Sequence, residues 1–363
     1  MKFSIDRVTL ANVLSEFTNV LKDNPIRPVL SGLKIQAIDN KIIFTGTNID
    51  MNFIKEIEGI VEESGVVVFK PLLVLEYIKL LDNENVVFSL QGESLLIHQA
   101  EFTILDSDLY PEIQKLKLEK IMDITGTDFV ESMEKVKFSA AVSNENMAIN
   151  CIRTFFNKDS MEFVSTDSYR LTYFTRDFKC AEEKEVSIPL ETINILCKLL
   201  KDYKEPVTLG YNGNVLIFLW DNNYFTSKII ELPFPNVKGI IAGANFNKSM
   251  EFNTKELKSA LKKVMTVART SVETKNGALF EFKNNNLTMS AYSGKAKITQ
   301  KVNMIKTGED LRCSLNTKYL YDFIDNLQDN TVIKGNSASA MFEVSQYNET
   351  SYKYILMPLA LRD

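Results

Sequence analysis

The sequence predicts an α+β fold built from three similar domains, and three observations carry that prediction. A length of 363 residues exceeds what a single hydrophobic core usually serves. One order of elements occurs three times: a short apolar strand, an amphipathic helix, several strands, a short strand, a second helix and closing strands. Between the helices, apolar and polar residues alternate with period 2, as in Leu33-Lys34-Ile35-Gln36-Ala37 and Lys41-Ile42-Ile43-Phe44-Thr45.

The opening strand reads Lys2-Phe3-Ser4-Ile5, then Met122-Asp123-Ile124, then Met250-Glu251-Phe252. Phe3, Ile124 and Phe252 therefore mark a period of roughly 120–130 residues. The helix that follows is predicted over residues 8–21, 128–141 and 254–268. Val8, Ala11, Leu14, Val20 and Leu21 fall near helical spacing in the first copy, and Leu257, Leu261, Val264 and Met265 do so more closely in the third. The second helix is predicted over residues 72–81, 190–200 and 316–327. Pro71 and Pro189 stand where a missing N–H costs nothing, and Asn316 can cap the third copy. Strands then follow at residues 85–90 and 94–98, 207–209 and 215–220, and 331–334 and 340–344. Segments 115–120 and 243–248 carry charge or turn residues, dividing the chain into domains at residues 1–119, 120–247 and 248–363.

Hydrophobic residues at 45% and charged residues at 25% suit a globular protein, and no run approaches the ~18 apolar residues of a membrane span. The start, Met1-Lys2-Phe3-Ser4-Ile5-Asp6-Arg7, meets charge at once and has no apolar signal region, so a cytoplasmic location is expected. Cys151, Cys180, Cys197 and Cys313 lack CxxC spacing and sit in apolar or strand-like surroundings, which predicts reduced, buried thiols. The net charge of −5 argues against a domain coated with lysine for nucleic acid. A chain that surrounds its target can still keep basic side chains on an inner face.

Residues that could carry catalysis do not assemble. The one histidine, His98, lies inside the strand-like run Leu95-Leu96-Ile97-His98-Gln99 and reads as a strand residue facing solvent or a hydrogen bond. Gly294-Lys295 lacks the glycine that a phosphate-cradling loop requires five residues earlier. Asp106 with Asp108, and Glu182 with Glu183, read as solvated loop charges rather than a two-metal site. No cofactor, metal or catalytic residue is expected.

Five short segments then point to a family. They are Arg27-Pro28-Val29-Leu30-Ser31-Gly32-Leu33, Thr45-Gly46-Thr47-Asn48, Ser165-Thr166-Asp167-Ser168-Tyr169-Arg170-Leu171, Phe234-Pro235-Asn236 and the closing Tyr354-Ile355-Leu356-Met357-Pro358-Leu359. In this order along the whole chain, they resemble the bacterial sliding clamp, the β subunit of DNA polymerase III. The resemblance implies three clamp domains, each with two helices on antiparallel sheet, and a homodimeric ring of six domains around duplex DNA, helices lining the hole. It also implies a non-catalytic processivity factor that docks the polymerase catalytic subunit, the clamp loader and other proteins through short peptide motifs. Without the resemblance, the repeat would also suit a structural or ligand-binding protein, and more distantly a DNA-modifying enzyme.

The resemblance carries over a peptide pocket made of Ile149; Thr166, Ser168, Tyr169, Arg170 and Leu171; Pro235 and Ile240; Ser339; and Ile355, Met357, Pro358, Leu359 and Leu361. Aliphatic walls and methionine suit a surface that must accept several peptides. Two features depart from the family: Gly239 stands where an arginine is common, and Arg362-Asp363 extend past the usual apolar end. For DNA, Lys79 and Lys198 occupy matching positions of the repeat, whereas Asp325 stands there in the third copy. Lys255, Lys258 and Lys262 share one helix face and can replace it. Asn24 occupies a loop position that is often basic in the family, with Arg27 close by. Such contacts would be to phosphate, since a sliding protein must tolerate every sequence. Phe102 and Ile104, on one strand face, are the carried-over first-domain half of the dimer contact, with the domain core as the alternative for both.

Overall fold

The computed structural model describes residues 1–142, 144–272 and 274–360. In the first third, β1 (Lys2–Asp6) leads into α1 (Arg7–Val20), followed by β2 (Leu33–Ile38), β3 (Lys41–Thr47), β4 (Met51–Glu58), β5 (Ile60–Glu63) and β6 (Gly65–Phe69). Next come α2 (Pro71–Lys79), β7 (Asn85–Gln91), β8 (Ser94–Ile97) and β9 (Ala100–Thr103). The middle third has β10 (Glu119–Thr125), α3 (Gly126–Glu134), β11 (Cys151–Phe156), β12 (Ser160–Thr166), β13 (Arg170–Asp177) and β14 (Lys184–Pro189). It continues through α4 (Leu190–Leu199), β15 (Pro206–Asn212), β16 (Val215–Trp220), β17 (Asn223–Lys228) and the short α5 (Val237–Ala242). The last third runs β18 (Lys248–Phe252), α6 (Thr254–Ala268), β19 (Gly277–Lys283), β20 (Asn286–Ser293), β21 (Ala296–Asn303) and β22 (Ile305–Thr307). It closes with β23 (Leu311–Asn316), α7 (Thr317–Ile324), β24 (Thr331–Gly335), β25 (Phe342–Gln346) and β26 (Tyr352–Leu356).

These elements form two compact units. The first comprises Met1–Glu131, Lys179–Glu183 and Glu191–Ile229, and holds a five-stranded sheet, β5-β1-β7-β8-β9, and an eight-stranded sheet, β10-β15-β16-β17-β4-β3-β2-β6. In the larger sheet β17 of the second repeat pairs antiparallel with β4 of the first, Phe225 opposite Phe53. Phe17 of α1 stacks on Phe53 at 4.6 Å between ring centroids, and Phe53 lies 5.9 Å from Trp220, so aromatic packing fills the junction.

The second unit comprises Ser132–Phe178, Lys184–Leu190 and Ile230–Asp363. Its nine-stranded sheet runs β14-β11-β12-β13-β26-β25-β24-β18-β22, and its four-stranded sheet runs β21-β20-β19-β23. Here β13 of the second repeat pairs antiparallel with β26 of the third, Leu171 opposite Ile355. Each junction between repeats thus satisfies strand edges that would otherwise be open. Phe323 of α7 packs 4.7 Å from both Tyr352 and Tyr354.

Several expectations need adjustment. The helix expected over 128–141 spans only Gly126–Glu134, because Val136 leaves helical geometry and the Ala141 amide donates to the carbonyls of both Ile149 and Thr166. The helix expected over 316–327 is α7, with Asn316 as cap and Asp325 already beyond its end. His98 does not continue β8 but turns the hairpin into β9 at φ +52°, a left-handed conformation that histidine tolerates better than most residues. Cys180 is only half-buried, unlike Cys151, Cys197 and Cys313, and burial pushes the Cys151 thiol up to about 11 and that of Cys313 up to about 12. Among the described residues, no helix is long and apolar enough to cross a membrane, and no three His, Cys, Asp or Glu side chains gather to hold a metal ion.

Candidate functional site

The loop from β12 to β13 is built by its own side chains. Asp167 accepts at Oδ1 from the amides of Tyr169 at 3.0 Å and Arg170 at 3.1 Å, which leaves Ser168 at φ +75°. The Thr166 hydroxyl donates to the Arg170 carbonyl at 2.6 Å and accepts from the Ser168 amide at 3.1 Å. Thr166 is therefore spent inside the turn, whereas Tyr169 points outward with 63% of its surface exposed. The tail attaches to this loop as the Met357 amide donates to the Tyr169 carbonyl at 2.9 Å. The Leu359 amide then donates to the Ser314 carbonyl at 2.8 Å, bridging the tail to β23.

Arg170 is buried, and each of its three guanidinium nitrogens donates a hydrogen bond. Nε donates to Asp167 Oδ2 at 2.9 Å, Nη1 to Asp322 Oδ2 at 2.9 Å and Nη2 to the Phe138 carbonyl at 2.6 Å. Its carbon lies 4.0 Å from the Tyr319 ring centroid. Burial alone would weaken its hold on the proton, but the surrounding acceptors, Asp322 and Asp167 among them, raise its pKa above the ordinary arginine value.

The residues carried over for peptide docking fall into two neighbouring sets within the second unit. Ile149, Ser168, Tyr169 and Arg170 line a cleft of about 970 Å³, whose other walls include Phe138 and, from α7, Tyr319, Tyr321 and Asp322. Leu171 and Ile355 instead pack with Val164 and Val237, against Phe234, Ile241 and Phe246. Pro235, Ile240 and Met357 are exposed around that apolar cluster's elements, Pro358 and Leu359 are half-buried, and Ser339 is exposed just before β25. Leu361 lies outside the described residues. Val237, Ile241 and the α7 residues that line the cleft did not emerge from the sequence, and Phe234 did so only as part of the Phe234-Pro235-Asn236 motif, without its place in this cluster. The Asn236 cap, which accepts from the Gly239 amide at 3.0 Å, and the i,i+4 pair Val237 and Ile241 are the signals that could have found α5.

The basic residues carried over for DNA differ in what engages them. Lys79 is exposed in the last turn of α2, and Lys198, exposed on α4, reaches Asn19 Oδ1 at 3.3 Å. On α6, Lys255 is exposed, Lys258 pairs with Asp325 at 3.2 Å, and Lys262 lies 5.4 Å from the Tyr321 ring centroid. Asp325 thus draws lysine from the neighbouring helix, and although burial works against its charge, Tyr321 and Lys258 hold its carboxyl below the ordinary value. Asn24 accepts at Oδ1 from the amides of Ile26 and Arg27, shaping a loop from which Arg27 projects into solvent. Phe102 and Ile104 are half-buried; Phe102 sits on β9, the open edge of the five-stranded sheet, 5.6 Å from the Tyr77 ring.

Comparison with known proteins agrees along the whole chain. Family models described as the DNA polymerase III beta subunit match in succession: the N-terminal domain at residues 1–114, the central domain at 123–236 and the C-terminal domain at 241–360. The beta sliding clamp of Haemophilus influenzae is 23% identical, covering 99% of this chain and 100% of its own length. That of Bacillus subtilis is 24% identical, covering 99% of each chain. The crystal structure of the DNA polymerase III beta subunit from Thermotoga maritima has the same fold, with a TM-score of 0.92 at 20% identity over 99% of this chain and 100% of that one. With all three domain models matched in order from end to end, the chain belongs to the DNA polymerase III beta subunit family of sliding clamps.

Proposed function

We propose that this protein is a non-catalytic processivity clamp, a homodimeric ring that encircles duplex DNA and docks the replicative polymerase, the clamp loader and other proteins through short peptides. The observation that carries the reading is the succession of three clamp-domain matches in order along the chain. Ring closure is supported by the sheet edges. The five-stranded sheet ends on β9 and the four-stranded sheet on β21, and a two-fold pairing of these edges between copies would make two identical head-to-tail contacts. Around β9, Leu73 at 62% exposure and Leu80 at 82% share the α2 face of Tyr77, extending an apolar patch with Phe102.

Lys79, Lys198 and Lys255, with Arg27 from its loop, would meet phosphates without reading bases. The apolar cluster around Leu171 and Ile355, together with the cleft beside Tyr169, would receive the peptides. Boundaries at 119/120 and 247/248 fit this reading, since each falls within one residue of the start of β10 or β18. Native mass spectrometry at moderate salt should report twice the 41.3 kDa chain mass. A single 41.3 kDa species would contradict the ring.

A further inference from the structure

The buried guanidinium of Arg170 ties the docking loop to a helix that belongs to neither strand of the docking sheet. Asp322, in the second turn of the chain's last helix, supplies one of its two carboxylates, and its Oδ2 also accepts from Lys318 Nζ at 2.8 Å. From Arg170 the connection passes through Asp167 to the amides of Tyr169 and Arg170, and through the Tyr169 carbonyl to the Met357 amide. The Tyr319 ring lies 4.0 Å from the guanidinium carbon and supports the group whose fork meets Asp167 and Asp322 together.

We infer that Asp322 is a positioning residue for peptide docking: its carboxylate sets Arg170, and Arg170 sets both the outward-facing Tyr169 and the register of the tail at Met357. This rests on the docking function proposed above. Asp322 keeps part of its surface in solvent at the wall of the cleft beside Tyr169, but it lies on α7 and outside the Leu171 and Ile355 cluster, so its effect on a peptide anchored at that cluster would be transmitted through Arg170. Replacing the carboxylate with an amide leaves Asp167 as the only carboxylate of a buried arginine. The amide oxygen can still accept from Nη1 but no longer as an anion, so the guanidinium is held more weakly on that side, leans toward Asp167, and the loop moves with it.

The test uses two isosteric pairs in the full-length protein, with a fluorescein-labelled synthetic peptide carrying a polymerase's clamp-binding motif as probe. The first pair is the parent protein and Asp322→Asn; the second is Asp322→Glu and Asp322→Gln. In each pair the charged member should bind about tenfold tighter by fluorescence anisotropy, with circular dichroism and native mass unchanged. The Glu and Gln pair decides the matter alone if Asp322→Asn does not fold. Equal affinities within the pairs, with the parent binding normally, would overturn the inference and leave the docking function standing. Equal loss in Glu and Gln relative to the parent would assign the effect to helix packing and overturn it as well. A parent protein that does not bind the peptide would overturn the docking function, and this inference with it.

Discussion

Phe102→Asp combined with Ile104→Asp should yield folded monomers in place of the proposed dimer. Both side chains are half-buried in the single chain, and Phe102 lies on an edge strand whose far side has no partner among the described residues. A carboxylate at either position can turn toward water in the monomer, at modest cost. In the closed ring the same carboxylate would be trapped against apolar surface with no counter-charge, a penalty of roughly 3–5 kcal/mol for each broken contact. Symmetry makes the contact twice, so dimerisation should weaken by well over about a thousandfold. Sedimentation velocity should show the monomer, while circular dichroism keeps the parent spectrum. A variant that remains dimeric would place the interface elsewhere, and one that loses its spectrum would return both residues to the domain core.

Removing residues 359–363 should abolish measurable docking of a clamp-binding peptide while preserving the dimer. The structure gives this deletion a defined cost: the Leu359 amide bridges to the Ser314 carbonyl, and the half-buried Leu359 side chain comes close to Gly277. One such backbone bond contributes about 1 kcal/mol, so the melting temperature should fall by only about 2–4 °C. Docking depends on the tail more heavily, since an apolar anchor in a cleft contributes ~2 kcal/mol or more, and affinity should drop beyond about thirtyfold. Fluorescence anisotropy beside sizing chromatography separates the two effects. Unchanged affinity in the truncated dimer would show that the tail is not a wall of the site.

What could be read from the sequence follows the range of the interactions involved. The helix over 254–268 is legible to the residue, because Asn253 caps it through the Glu256 amide and Leu257, Leu261 and Val264 form one buried stripe. The helix over 128–141 is overestimated, because the chain leaves helical geometry at Val136 and Ala141 then pairs with Ile149 and Thr166, contacts that local periodicity does not contain. At six residues, α5 shows only one i,i+4 apolar pair, Val237 and Ile241, beside its Asn236 cap, a weak signal for a helix. Many of the site residues carried over from the family lie in short motifs of the sequence, and Leu171 and Ile355 from two of those motifs are paired on adjacent strands. Their surroundings were not legible. A buried arginine requires carboxylates, and Asp167, three residues away, could be anticipated, but Asp322 is brought in only by the packing of α7. The same packing turns Lys258 and Lys262 toward α7, which their spacing on α6 alone does not reveal.

Encirclement is tested most directly by topology. The protein, loaded by its cognate clamp loader onto nicked circular duplex, should remain bound through a wash at high salt and be released when the circle is cut once. Electrostatic binding to phosphate weakens steeply with salt and is indifferent to whether the duplex has ends, so it predicts equal release from circular and linear DNA. Retention on the circle with loss from the linear form is the result predicted here, and equal retention on both would contradict a ring around DNA.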